Sequence, residues 1–193
     1  MTPIRTGSLA VLVLVTGACG GVADTTAPAP VPASTTAAEV AAYGSGPAAG
    51  VQGAAVPDEL GFEAVLIGGG TLHGADLAGQ AVLFWFWAPT CATCRREASA
   101  VAELSRRSDI TVVGVSAIGP GADPERSASI LREWGITGFS HIADDGRVGV
   151  LFDVFGTPGM AVGTANGSVA SRTGDPGPGG YDDLINAARA MDA

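Results

Sequence analysis

From Pro57 onward the apolar residues fall into two rhythms. Residues 81–87, AVLFWFW, are an unbroken apolar run of strand length. A run without polar alternation predicts a strand covered on both faces, as at the centre of a sheet. ITVVGVSA (110–117) predicts a second such strand. Within the first run, Trp85 and Trp87 are expected on opposite faces, and Phe84 and Phe86 likewise, with all four in the core rather than at a ligand. CATCRREASAVAELSRRS (91–108) carries Ala98, Val101, Ala102 and Leu104 at helical spacing, so it reads as a helix whose first turn holds two cysteines. DPERSASILREWG opens on Asp-Pro and stops at Gly135, a helix with both ends marked.

Shorter signals fill the gaps. FEAVLIGGGTLHGADL has two apolar runs broken by glycines and predicts a β-hairpin followed by a turn. FSHIAD predicts a short strand and GRVGVLFDVF one or two helical turns. GTPGMAVGTANGSVASR predicts strand, Asn166-Gly167 turn, strand. YDDLINAARAMDA predicts a final helix with Leu184, Ile185 and Ala188 on its apolar face. The order is hairpin, strand, helix, strand, helix, strand, hairpin, helix. Alternating strands and helices imply an α/β fold, and the closing hairpin makes the sheet mixed, with helices on both faces.

The pattern stops before Pro57. SLAVLVLVTGA (8–18) is apolar, follows Arg5 and precedes Cys19. It is short for a transmembrane helix and fits the h-region of a secretory signal with small residues before a cut. Gly17-Ala18-Cys19 resembles the lipobox of bacterial lipoproteins, which implies a lipid on Cys19, although Thr16 stands where that motif has Leu or Val; the alternative is a secreted protein cut near Ala18, with Cys19 an idle thiol. Residues 20–56 are dominated by Ala, Pro, Thr, Gly and Ser without apolar period, a composition that reads as a flexible tether. The expected organisation is a signal peptide ending in the lipobox-like cysteine (1–19), a tether (20–56) and one globular domain (57–193). The formal net charge of −9, with all ten basic residues arginine, excludes nucleic-acid binding driven by the overall field.

Of three cysteines, Cys91 and Cys94 stand three positions apart, at the start of a helix that follows a buried strand. Unpaired N–H groups and the helix dipole favour a thiolate at Cys91. Cys94, one turn on, reaches the first sulfur. The arrangement suits thiol–disulfide exchange. A structural zinc site needs four ligands, and His73 and His141 would complete one only by coincidence; both are read as surface or strand-end residues, and no metal is expected. A purely structural disulfide would constrain little, because the loop is so short. A peroxidase is disfavoured because Thr90 is followed three positions later by Thr93, not cysteine.

LGFEAVLIGGGTLHGADLAGQAVLFWFWAPTCATCRREASAVAEL resembles the thioredoxin-fold oxidoreductases of the bacterial envelope, the TlpA, ResA and DsbE-like group, and in particular secreted DsbE-like proteins of actinobacteria. The likeness rests on the hairpin, the DLAGQAVLFWFWA entry strand, the Cys-x-x-Cys and Glu97 three residues beyond it. It implies a thioredoxin-like fold: a mixed β-sheet flanked by helices, with an N-terminal β-hairpin and a helix–strand insert. It also implies a cis proline facing the sulfurs, matched by Pro158 in FGTPGMAV, with Thr157 before it as the backbone that docks a substrate peptide. Three departures bear on redox potential rather than reaction class. Thr90 replaces a frequent Trp before the first cysteine. Trp85 stands where thioredoxin has a buried Asp, and Ser99 replaces a helix proline. Glu97 reads either as a solvated first-turn acid or as an auxiliary acid near Cys94.

The function expected is that of an exported thiol–disulfide oxidoreductase. Cys91 is the nucleophile and Cys94 the resolving thiol, and the pair is the redox centre with no cofactor. The partners expected are exported cysteine-containing proteins, a membrane redox partner that recycles the pair, and the membrane itself through a lipid anchor. An oxidant is favoured over a dedicated reductase, for example of apocytochrome c thiols. A copper-handling module on the same fold is the non-enzymatic alternative.

Overall fold

Strand β3 (Val82–Trp87) is buried at every position, as an unalternated apolar run requires. The structure is a computed structural model and describes residues 55–117 and 123–193. Cys19, the signal region and the tether up to residue 54 lie outside the described residues. Parallel pairing joins β3 to β4 (Thr111–Ala117), and β4 to β5 (His141–Asp144). On its other side β3 pairs antiparallel with β6 (Gly159–Gly163), which pairs antiparallel with β7 (Val169–Thr173). The five-stranded order is β5-β4-β3-β6-β7. The two parallel steps need crossovers, supplied by helix α1 (Ala92–Leu104) and helix α2 (Pro124–Trp134).

The sheet separates two apolar layers. Leu83, Trp85 and Trp87 face Ala98 and Val101 of α1, Leu131 of α2, and Ile185 and Ala188 of helix α4 (Gly180–Ala190). Val82, Phe84 and Phe86 face Leu72, Leu77, Val148 and Phe152. Trp85 and Trp87 therefore share one face, stacked at 6.1 Å and 15° between planes, and Phe84 and Phe86 share the other. The sequence expectation had each pair split. Side chains along a strand alternate with period two, so positions two apart must coincide. The covering is uneven: three helices lie on the tryptophan face. The phenylalanine face takes the short helix α3 (Arg147–Leu151) and the β1 (Glu63–Val65)–β2 (Thr71–His73) hairpin.

Ends fall where their chemistry puts them. Asp123 caps α2, its carboxylate accepting the Glu125 N–H at 2.9 Å. Gly135 ends that helix at φ 70°, a left-handed conformation that glycine adopts freely. The β6–β7 turn is longer than a two-residue hairpin. Gly167 N donates to Thr164 O and Thr164 N to Ser168 O, and Gly167 alone in the loop has positive φ, so the loop has three residues with a left-handed glycine last.

The hairpin also covers a sheet edge. Leu66 bridges Ile142 of β5 and Ile67 N donates to His141 O at 2.8 Å. Under that cover His141, which opens β5 and so lies at a strand end as expected, is 2% exposed, a buried residue and not a surface one. Its ring packs edge-on to Trp87 and against Phe139, and Nε2 lies 2.7 Å from Ile136 O. A Cβ on Gly114 of β4 would stand 1.9 Å from His141 Nδ1; glycine there makes room for the imidazole.

Candidate active site

The chain leaves the buried end of β3, turns through Ala88–Thr90, and starts α1. Cys91 is the N-cap, in extended conformation, and its sulfur accepts the Cys94 N–H at 3.1 Å. An N-cap side chain satisfies an otherwise orphaned amide, and here that side chain is sulfur. Cys91 and Cys94 are joined as a disulfide, with Cα atoms 5.3 Å apart. Their exposures differ: Cys91 is partly exposed, whereas Cys94 is fully buried beside Ala98 and the tryptophan layer. An attacking thiol therefore meets Cys91 first.

The β3–β6 ladder ends at Phe86 and Gly159. The turn to Cys91 and the segment before Gly159 thus leave the sheet at the same end. That segment contains the Thr157–Pro158 bond, which is cis. Pro158 is buried and its carbonyl accepts the Gly174 N–H at 2.8 Å, which ties the loop to the end of β7.

Glu97 lies one turn beyond Cys94 and is half-buried, not a solvated helix acid. Its Oε2 accepts the Trp85 indole N–H at 3.2 Å and the Tyr181 hydroxyl at 2.8 Å. Oε1 is buried with no protein hydrogen-bond partner among the described residues. Burial raises the carboxyl above the usual 4.5, and the bonds from Tyr181 and Trp85 only partly oppose it. Trp85, in the place of thioredoxin's acid, thus hands that region a carboxylate at second remove. Nothing local in the sequence signals Tyr181. It is 84 positions from Glu97 and enters because α4 packs on the face that carries Trp85. The first turn of α1 also holds Arg95, paired with Glu133 at 3.0 Å, and Arg96, with Asp175 at 3.9 Å.

The histidines stand apart from this arrangement in kind. His73 is exposed on β2, 3.4 Å from Glu63, and His141 is a core residue. Among the described residues no three His, Cys, Asp or Glu side chains gather as metal ligands would.

A central strand running into a cysteine-capped helix, with a cis proline just ahead of the neighbouring antiparallel strand at the same end of the sheet, is the arrangement of the thioredoxin-fold thiol–disulfide oxidoreductases. Within that class the chain is similar to DsbF- and DsbE-like proteins of mycobacteria. It matches the structure of MTB DsbF, solved in mixed oxidised and reduced forms, with TM-score 0.62 and 29% identity over 71% of this chain and 99% of that one. A secreted Mycobacterium tuberculosis disulfide oxidoreductase homologous to E. coli DsbE matches in fold, with TM-score 0.59 and 24% identity over 69% of this chain and 98% of that one. Among curated proteins, the soluble secreted antigen MPT53 of Mycobacterium tuberculosis and Mycobacterium bovis is 27% identical over 116 residues, 59% of this chain. The chain spans 65% of the length of those curated relatives. No family model matches it.

Proposed function

We propose that this chain exchanges disulfides with exported proteins through Cys91 and Cys94, acting as an oxidant of intermediate potential. The observation that carries the reading is the asymmetry of the bonded pair: one sulfur accessible at a helix N-terminus with an amide aimed at it, the other sealed in the core. A client thiolate attacks Cys91 Sγ. The Cys91–Cys94 bond breaks, and Cys94 leaves with the electron pair and takes up a proton. A second client thiolate attacks the client sulfur of the mixed disulfide and releases Cys91 as thiolate. The client loses two electrons and gains a disulfide; the pair gains two electrons and becomes a dithiol. The reverse sequence reduces a client.

The amide on Cys91 and the helix dipole stabilise the released thiolate, and an easily released thiolate favours oxidation of the client. The raised carboxyl of Glu97, near the buried end of the pair, suits it as the auxiliary acid that exchanges a proton with Cys94. Thr157, ahead of the cis proline, is the backbone proposed to dock a client strand. The cysteine pair is the whole redox centre in this reading, and a membrane redox partner reoxidises it. The disulfide form is expected to oxidise a reduced, unfolded test protein faster than buffer does. If it fails there yet reduces insulin readily when given an electron donor, the direction is reversed and the protein is a reductase.

Export is supported by the names of the mycobacterial relatives and by the apolar stretch before Cys19. The proposed anchor is a lipid on Cys19. Cys19→Ala is expected to move the protein from the membrane fraction to the soluble envelope or the medium. A wild-type protein found wholly soluble would remove the anchor.

A further inference from the structure

Tyr181 is a buried titratable group that the exchange steps above leave unused. It is 7% exposed, at the second position of α4. Its place is fixed from two sides. α4 starts after Gly179, which is left-handed at φ 76°. A Cβ on Gly180 would stand 2.6 Å from Pro176 Cβ, so the chain before the helix lies close over its start. Beyond the end of α1, Arg107 Nη1 donates to Asp182 Oδ1 at 2.6 Å, and Arg189 Nη2 of α4 donates to Asp109 Oδ2 at 2.9 Å. These pairs set the register of α4 against the end of α1.

The Tyr181 hydroxyl ends on one oxygen of one carboxyl. Glu97 Oε2 accepts it at 2.8 Å and accepts the Trp85 indole N–H at 3.2 Å, whereas Oε1 is buried with no protein partner among the described residues. An indole N–H can only donate, so Oε2 is held as an acceptor. Burial and the neighbouring carboxylate keep the Tyr181 phenol above its usual 10, so it too remains a donor at neutral pH. A neutral carboxyl has one carbonyl oxygen and one hydroxyl oxygen. Two donors on Oε2 make it the carbonyl oxygen, which leaves the proton to Oε1. Glu97 stands one turn from Cys94 on α1, and Cys94, Trp85 and Tyr181 belong to one core layer.

From this geometry we infer that Tyr181 is a positioning residue for the exchange: its hydroxyl reserves Oε2 of Glu97, assigns the carboxyl proton to Oε1 and sets the pH range over which that proton is available to Cys94. This rests on the exchange reading, with Glu97 as its auxiliary acid. Cys94 takes up the Oε1 proton as it leaves, and the Glu97 anion regains one from solvent. The other charged groups facing the carboxyl are Arg96 on α1, which favours the anion, and Asp175 after β7, which opposes it. They are paired with each other at 3.9 Å. A hydrogen bond donated to the anion favours the anion. Tyr181→Phe keeps the ring in the core and removes only that donor, so it raises the midpoint of Glu97.

The test uses the full chain in its disulfide form. Neutral Glu97 is read from the infrared carboxyl C=O band that Glu97→Gln removes. In Tyr181→Phe this band is expected at higher frequency, because its carbonyl oxygen has lost a donor. Its midpoint is expected about one pH unit higher, as loss of one hydrogen bond to a charged group gives. The second readout is the rate of reaction with glutathione, divided by the fraction of glutathione present as thiolate. In wild type this rate should fall as pH rises through the Glu97 midpoint. In Tyr181→Phe the step should come about one pH unit higher, and in Glu97→Gln it should be absent. A tyrosine that only fills space would alter the melting temperature and leave band and step in place. A band or midpoint unmoved in Tyr181→Phe overturns the inference, and so does a moved midpoint with an unmoved step. In both cases wild type still reacts and the exchange reading stands. A wild type that reacts at no pH sinks the exchange reading, and the positioning role with it.

Discussion

Cys94→Ser is expected to accumulate mixed disulfides with client proteins, and Cys91→Ser to accumulate none and to lose exchange altogether. The asymmetry follows from burial and from the amide. Cys91 is the reachable sulfur and the one that the Cys94 N–H contacts at 3.1 Å. In Cys94→Ser the Cys91 thiolate attacks a client disulfide, the reverse of the oxidising sequence, and the mixed disulfide so formed persists because no Cys94 thiol is there to resolve it. In the reduced wild type at mildly acidic pH, alkylation should mark Cys91 at least about tenfold faster than Cys94, because Cys91 is the accessible sulfur and the helix N-terminus favours its thiolate. Gel shift and peptide mapping read both results. Equal labelling, or trapping by Cys91→Ser, would reverse the assigned roles.

Acid should weaken the fold in part through His141. Burial pushes His141 from its usual 6.5 down to about 4, because charging it would place a cation between Trp87, Phe139 and β4. Its Nδ1 has no protein partner among the described residues. The unfolded chain takes up this proton near pH 6.5 and the folded chain only near pH 4. His141 therefore costs the fold nothing above pH 6.5. Its penalty grows as pH falls from 6.5 to 4 and then levels off, reaching about 3 kcal/mol. Urea titrations across that range should show the loss in wild type, and in His141→Phe a slope smaller by about that amount, whatever the variant's stability at neutral pH. Equal slopes in the two proteins would mean that His141 is hydrated or already charged in the fold.

That histidine also marks how far the sequence could be read. The elements whose signals are local were legible: β3 from seven apolar residues in a row, α2 from Asp-Pro and Gly135, and the cysteine-capped helix from its position after β3. The site's depth was not. His141 is buried because Gly114, on another strand, leaves room for its ring and because the hairpin closes over the edge of β5. Neither fact has a local trace. Glu97 reads in sequence as either a solvated or an auxiliary acid, and its half-buried setting is not legible there because its two donors come from Trp85, twelve positions back, and Tyr181, 84 positions on. The hairpin turn was legible in place but not in kind, since Asn-Gly suits two-residue and three-residue loops alike. The placing of Trp85 and Trp87 on opposite faces was an error of parity, which a strand's own geometry corrects.

The reduction potential of the Cys91–Cys94 pair, measured by equilibration with glutathione or dithiothreitol buffers and read by mass after alkylation, tests the redox-active assignment most directly. A pair that exchanges with clients must cycle, so its potential should fall between those of thioredoxin and DsbA, about −270 to −120 mV. A value below about −300 mV, in the range of structural disulfides, would make the pair a fixed crosslink and contradict the proposed exchange.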